Sequence, residues 1–121
     1  MSDEVRLVVV DDEPDAAEVL AASLRLDGYT VWTVQDSRKA LASIAEHSPH
    51  CVLFDVNMPG IDGCELSRQL RSLYGDEMVL IAMSGREETD ARVKETYCRV
   101  DYFLRKPFDQ ARLRKVLGPV S

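Results

Sequence analysis

Short apolar runs recur along the chain, and each is followed by a polar segment with helical spacing. The runs predict five β-strands, with bounds near Arg6–Val10, Thr30–Val34, Cys51–Asp55, Met78–Met83 and Tyr102–Arg105. The segments between them predict helices from Pro14 to about Leu26, from Asp36 or Ser37 to His47, from about Asp62 to Leu73, from about Glu87 to Tyr97, and after the cap residue Asp109. Strands that alternate with helices favour a parallel sheet, because right-handed helical crossovers return the chain to the same edge.

The two most apolar runs, which begin at Arg6 and Cys51, are expected at the centre of this sheet. If the direction of the connections reverses beside the first strand, the strand order becomes 2-1-3-4-5. The prediction is therefore a doubly wound α/β fold with five strands, five helices and helices on both faces. A chain of 121 residues has the size of one domain.

Polar side chains stand where four of the predicted strands end. Asp11 and Asp12 follow the first strand, Asp55 closes the third, Ser84 follows the fourth and Lys106 follows the last. The carboxyl ends of parallel strands lie at one edge of a sheet, where open α/β sheets bind ligands. The sequence thus predicts one site that combines carboxylates, a hydroxyl and a lysine at the point where the strand order reverses.

Charge and cysteine content disfavour several classes of protein. The chain has 15 Lys and Arg against 21 Asp and Glu, and without a basic cluster it is not expected to contact nucleic acid directly. Three widely spaced cysteines without a partner at metal-ligand spacing indicate neither a disulfide framework nor a zinc site, and they fit a reducing cytoplasm. The acidic start and the short first apolar run predict neither a signal peptide nor a membrane span, and Met1 is expected to be an authentic start.

Four segments at the strand ends resemble one known family. They are Val10-Asp11-Asp12-Glu13-Pro14, Phe54 to Gly63, Met83-Ser84-Gly85 and Phe103 to Phe108. In this order they resemble the receiver domain of two-component response regulators, of which the bacterial chemotaxis regulator is a single-domain example. The resemblance implies a flavodoxin-like fold, a receiver domain over residues 1–121, and a cytoplasmic, phosphorylation-dependent signalling module. Such a module catalyses only its own phosphorylation and dephosphorylation.

The resemblance also implies a phosphoacceptor and a metal site. Asp55 would accept a phosphoryl group from a histidine kinase or a histidine phosphotransfer protein. Mg²⁺ would be held by Asp11, Asp12 and Asp55 and by the main-chain carbonyl of Asn57. Mg²⁺ is a hard cation that prefers oxygen ligands and keeps several waters, so this set of donors suits it.

Further roles follow from the same resemblance. Ser84 and Lys106 would bind the phosphoryl oxygens, and Ser84 with Phe103 would form the switch that changes the output face. Asn57 and Arg86 would adjust the rate at which the phosphoryl group is lost. The output partner stays unnamed, and the protein is expected to be a monomer or a phosphorylation-dependent dimer.

Three alternatives stay open beside this reading. A phosphatase with an aspartyl nucleophile would usually carry a second aspartate two residues after Asp55, where this chain has Asn57. A degenerate receiver that only binds a partner would normally have lost an acidic residue or the lysine, and none is missing. The chain can also be a receiver fragment of a larger hybrid kinase or transcriptional regulator.

One segment departs from the family pattern. Arg99-Val100 stands before the last strand, where the family usually has Gly-Ala. Glycine there ends a helix in the left-handed conformation, which arginine adopts at a higher energy. We therefore predict that the preceding helix ends differently or frays.

Overall fold

The computed structural model describes residues 4–117 except 57, 86–95, 97, 98, 107 and 108. Its strands are β1 Arg6–Val10, β2 Thr30–Val34, β3 Cys51–Asp55, β4 Val79–Ser84 and β5 Tyr102–Arg105. Its described helices are α1 Pro14–Leu26, α2 Ala40–His47, α3 Gly63–Tyr74 and α4 Gln110–Leu117, and a 3₁₀ turn at Ser37–Lys39 leads into α2. The helix predicted from Glu87 to Tyr97 falls almost entirely outside the described residues.

All four strand pairs are parallel, and the order β2-β1-β3-β4-β5 confirms the predicted sheet. β1 lies between β2 and β3, with Val9 opposite Thr33 on one side and Leu53 on the other. The connection direction reverses at β1, so the crevice between the ends of β1 and β3 is the switch point of the fold.

Successive side chains of each strand point to opposite faces, and the sheet therefore separates two hydrophobic cores. Val8 and Val10 of β1 belong to the core that α2 and α3 cover, whereas Leu7 and Val9 belong to the core under α1 and α4. These four residues are fully buried. Burial on both faces explains why β1 and β3 are continuous apolar runs without polar alternation.

The predicted helix ends agree with the structure in most places. Pro14 occupies the first position of α1, and Gly28 beyond its end has a φ of 100°. The Asp62 and Asp109 carboxylates accept hydrogen bonds from the backbone N–H groups of Glu65 and Arg112 at 2.9 and 2.8 Å. Side-chain capping of this kind satisfies N–H groups that a helix cannot pair internally.

β4 has other bounds than predicted, and Arg99 lacks the left-handed conformation that glycine takes in the family pattern. β4 begins at Val79 and runs through Ser84, because Ser84 pairs with Arg105 and extends the ladder to β5. Arg99 is not left-handed, since Ser48 is the non-glycine residue with positive φ in the described part of the chain. Its N–H instead donates to the Thr96 carbonyl at 3.0 Å, so the helix end does not need the left-handed conformation.

No helix within the described ranges has both the length and the hydropathy to cross a membrane.

Candidate functional site

Three carboxylates converge at the switch point of the sheet. Asp11 and Asp12 follow β1 and Asp55 ends β3, and one oxygen from each lies within 4.8 Å of the others. The Asp11 N–H donates to the Val34 carbonyl at 3.0 Å, which continues the β1–β2 pairing one residue beyond the strand. Asp11 is only 3% exposed, so its charge needs a partner within the protein.

Lys106 supplies a cation to this cluster. Its Nζ lies 2.7 Å from Asp55 Oδ2 and 3.3 Å from Asp11 Oδ2, across 51 and 95 residues of sequence. Burial, the largest single influence, lowers the pKa of the Lys106 ammonium, but hydrogen bonds and charges from Asp55 and Asp11 together raise it above its ordinary value. Lys106 therefore stays charged at neutral pH.

Ser84 and Phe103 lie on β4 and β5, the two strands that follow β3 on the side of the sheet away from β1. Ser84 is fully buried at the end of β4, and its carbonyl accepts the Lys106 N–H at 2.7 Å. Phe103 of β5 is half-buried and packs against the core on the α3 side of the sheet. Tyr102 beside it is exposed, as alternation along a strand requires.

The loop between β3 and α3 is anchored at both ends. The Val56 N–H donates to the Met83 carbonyl at 2.9 Å, and the Gly63 N–H donates to the Val56 carbonyl at 2.8 Å. A Cβ at Gly63 would lie 2.6 Å from the Val56 Cα, so only glycine permits this approach. Asn57 of this loop and Arg86 after β4, both predicted site residues, lie outside the described residues.

The donor set suits a hard divalent cation. Three carboxylates face one lysine, which leaves excess negative charge in a partly buried crevice. Every acidic ligand atom is an oxygen, and Mg²⁺ is bound in proteins by a few carboxylates together with waters. The residues at the switch point therefore fit the Mg²⁺ that the sequence predicts.

Sequence reasoning missed one contact beside the site. Ser37 and Asp36 were both predicted as possible caps of the second helix, but α2 begins at Ala40 and neither residue caps it. The Asp36 Oδ1 instead accepts the Arg38 N–H at 3.0 Å and caps the 3₁₀ turn that leads into α2. The Ser37 hydroxyl turns to the β3–α3 loop instead, where it bonds Pro59 and Ile61. The only sequence signal is a second capping-type residue directly after the first.

Comparison with known proteins places these observations in a family. The family model for the response regulator receiver domain matches residues 7–118. A response regulator MprA of Mycolicibacterium vanbaalenii is 41% identical over 117 residues, which cover 93% of this chain and 50% of that protein. The MprA of Mycobacterium ulcerans is 39% identical over the same share of both chains. The chain spans about half the length of the curated relatives it matches.

Solved structures give the same result. Chemotaxis protein CheY4 of Vibrio cholerae matches with a TM-score of 0.85 and 25% identity over 98% of this chain and 99% of that one. Response regulator TrrA of Thermotoga maritima, solved in complex with Mg²⁺ and BeF, matches with a TM-score of 0.81 and 27% identity over 93% and 96% of the two chains. Together with the convergent acidic residues and lysine, these matches identify the chain as a member of the response regulator receiver domain family.

Proposed function

We propose that Asp55 is the phosphoacceptor of this receiver domain. The observation that carries the proposal is the contact of Lys106 Nζ with both Asp55 and Asp11, inside a cluster of three carboxylates at the switch point. A carboxylate held beside a fixed cation and other oxygen ligands is well placed to accept a phosphoryl group, because phosphoryl transfer depends on the positions of the reacting atoms and on neutralisation of their charge.

In the proposed reaction, an Asp55 oxygen attacks the phosphorus of a phosphohistidine. The new O–P bond forms as the P–N bond breaks, and the imidazole leaves with the bonding electron pair. Lys106 would follow the negative charge from the free carboxylate to the phosphoryl oxygens, and the Ser84 hydroxyl would donate to one of those oxygens. Ser84 ends β4, which pairs with β3, and Lys106 follows β5, which pairs with β4. The contact of Lys106 Nζ with Asp55 and the position of Ser84 beside β3 support these roles.

Asp11, Asp12 and Asp55, together with the main-chain carbonyl of Asn57, are proposed to hold Mg²⁺. When bound, the ion would neutralise carboxylate and phosphoryl charge. The described carboxylates would orient the ion, and Lys106 would limit repulsion among them. The magnesium complex of the Thermotoga relative supports this assignment.

Ser84 and Phe103 are proposed as the switch. Ser84 would move toward the phosphoryl group, and the half-buried Phe103 ring would then turn further into the space that opens. The phosphoryl group would thereby favour one of two packings of the ring. Arg86 and Asn57 would set the lifetime of the phosphoryl group. An unchanged lifetime in Arg86→Ala would remove Arg86 from this role.

The phosphodonor would be a histidine kinase or a histidine phosphotransfer protein. Since the curated relatives are about twice as long as this chain, an effector region of a longer protein is one proposed output partner. A separate protein, or a second copy of the domain after phosphorylation, is the other. The proposed domain covers residues 1–121, and its catalysis is limited to its own phosphorylation and dephosphorylation.

The first experiment is the intact mass of the protein after incubation with Mg²⁺ and a small phosphodonor such as phosphoramidate. Wild type is expected to gain one phosphate-sized increment, and Asp55→Asn is expected to gain none because it lacks the nucleophile. Asp76→Asn makes the same chemical change at an exposed turn and should behave like wild type. A wild type that gains nothing, even with a cognate kinase, would contradict phosphotransfer and favour a receiver that only binds a partner.

A further inference from the structure

The middle of the β3–α3 loop is held by one buried hydroxyl. Ser37 is 2% exposed and begins the 3₁₀ turn between β2 and α2. Its Oγ donates to the Pro59 carbonyl at 2.9 Å and accepts the Ile61 N–H at 2.9 Å. A serine hydroxyl has one proton to donate, so both directions of its hydrogen bonding serve this loop.

Gly60, between the two bonded residues, is fitted to the same contact. Its φ is +83°, a conformation that favours glycine, and a Cβ there would lie 3.1 Å from Ser37 Oγ and 3.4 Å from Arg38 Cγ. The loop therefore approaches the 3₁₀ turn closely enough for one hydroxyl to bridge the residues before and after Gly60. A side chain at this position would strain the backbone and would require the Ser37 hydroxyl to shift by a few tenths of an ångström.

The bridge lies beside the acidic cluster. A cleft of about 400 Å³ opens next to the site, with Asp12 and the 3₁₀ turn on one part of its wall and Pro59 and Gly60 on the other. The same loop begins directly after Asp55. Its ends are fixed by backbone hydrogen bonds to β4 and within the loop. The Ser37 bridge adds a third point, which fixes the loop to the 3₁₀ turn that lines the same cleft as Asp12.

We propose that Ser37 is a positioning residue for the phosphorylation site. Its hydroxyl keeps the loop after Asp55 at a fixed separation from the Asp12 segment, and so fixes the geometry in which the carboxylates receive Mg²⁺ and the phosphodonor. This inference rests on the proposed function. It assigns to Ser37 a role that acts through the loop, since the hydroxyl bonds Pro59 and Ile61 and not a carboxylate.

The test compares Ser37→Ala with Ser67→Ala. Ser67 is equally buried, and its hydroxyl donates to the Cys64 carbonyl within α3, so its alanine variant removes the same atoms without touching the loop. Mg²⁺ affinity is measured directly by isothermal titration calorimetry. Initial phosphorylation rates from phosphoramidate are measured by intact mass across a range of Mg²⁺ concentrations.

Ser37→Ala is expected to raise the Mg²⁺ dissociation constant about three- to tenfold, somewhat less than the loss typical of residues that bond a metal ligand directly. Its phosphorylation rate at saturating Mg²⁺ should stay within about twofold of wild type, because the attacking carboxylate and Lys106 are retained. Ser67→Ala should match wild type in both measurements. Ser37→Thr, which keeps the hydroxyl, should bind Mg²⁺ more tightly than Ser37→Ala.

Equal Mg²⁺ affinities for Ser37→Ala and wild type would overturn the inference and leave the proposed function standing. A wild type that binds no Mg²⁺ would overturn both. If Ser37→Ala does not fold, Gly60→Ala tests the same contact from the other side, because its Cβ meets the hydroxyl. Gly60→Ala should also weaken Mg²⁺ binding, and wild-type affinity in that variant would count against the inference.

Discussion

At the scale of single residues, Lys106 offsets part of the negative charge of the acidic cluster. The raised pKa of its ammonium means that the folded protein binds this proton more tightly than the unfolded chain does. The resulting stabilisation is fully present below the ordinary lysine pKa and is lost as pH rises through the raised pKa. Stability from this contact should therefore not change at neutral or mildly acidic pH.

Lys106→Met keeps most of the side-chain volume and removes the charge. We expect it to lower the free energy of unfolding by about 1–2 kcal/mol, because the buried Asp11 loses its cation while solvent still screens the partly exposed Lys106 position. Urea unfolding without added Mg²⁺ measures the change. Lys39→Met, at an exposed lysine, is the control, and an equal small effect for both variants would mean that the Lys106 contacts do not stabilise the fold.

At the scale of elements, Arg71 joins the end of α3 to the beginnings of β4 and β5. Its guanidinium donates to the carbonyls of Gly75 and Met78 at 2.9 Å and of Arg99 at 2.7 Å. It also pairs with Asp101 Oδ2 at 2.7 Å, and that oxygen accepts the Leu80 N–H at 2.8 Å. The departure from the family pattern at Arg99 thus lies inside a hydrogen-bonded junction.

Arg99 adds a second link between the same segments. Its Nη1 donates to the Cys64 carbonyl at 3.2 Å and contacts the Cys64 sulfur at 3.1 Å. A glycine at this position would lack the side chain that makes this contact with the first turn of α3. The Arg99 side chain therefore links the segment before β5 to α3.

Arg71→Ala is expected to lower the free energy of unfolding by about 2–3 kcal/mol, because several backbone carbonyls and Asp101 lose their donor at once. Arg68→Ala on the same helix removes an exposed pair with Glu65 and should change stability by less than about 0.5 kcal/mol. Urea unfolding of both variants makes the comparison. A loss for Arg71→Ala no larger than that for Arg68→Ala would show that the junction does not stabilise the fold.

At the scale of the whole molecule, one parallel sheet separates two cores and presents its acidic cluster at a single edge. Both cores are built on β1 and β3, which contribute alternate side chains to each, so loosening one face exposes strands that the other face needs. Ligand binding at the edge is then expected to stabilise the entire domain. Its effect should be visible in global unfolding.

Mg²⁺ should therefore raise the free energy of unfolding of wild type by about 2.7 kcal/mol at a concentration one hundred times its dissociation constant. Asp12→Asn should lose most of this gain, because it removes one of the proposed carboxylate ligands, whereas Asp76→Asn should keep it. Unfolding is followed by urea titration at matched ionic strength. A full Mg²⁺ gain in Asp12→Asn would exclude Asp12 as a ligand.

The sequence by itself determined the sheet and the approximate position of the site. Apolar runs such as Leu7–Val10 and Cys51–Phe54 specify buried strands through composition alone, and the end of each run determines which polar residue reaches the sheet edge. The apolar faces of β1 and β3 predict that both lie inside the sheet, and the order 2-1-3-4-5 was predicted on the condition that the connections reverse beside β1, as they do. These are local properties of the chain, so they can be predicted without a structure.

Only the tertiary structure decided which side chains fix the loops and junctions around that site. Ser37 and Pro59 are 22 residues apart, and Arg71 and Asp101 are 30 apart, with no periodic pattern that links them. Both contacts depend on how closely two segments pack and on where a hydroxyl or guanidinium points after the backbone has folded. Hydrophobic periodicity carries no information about such distances, because it records which face of an element is buried and not what that face meets.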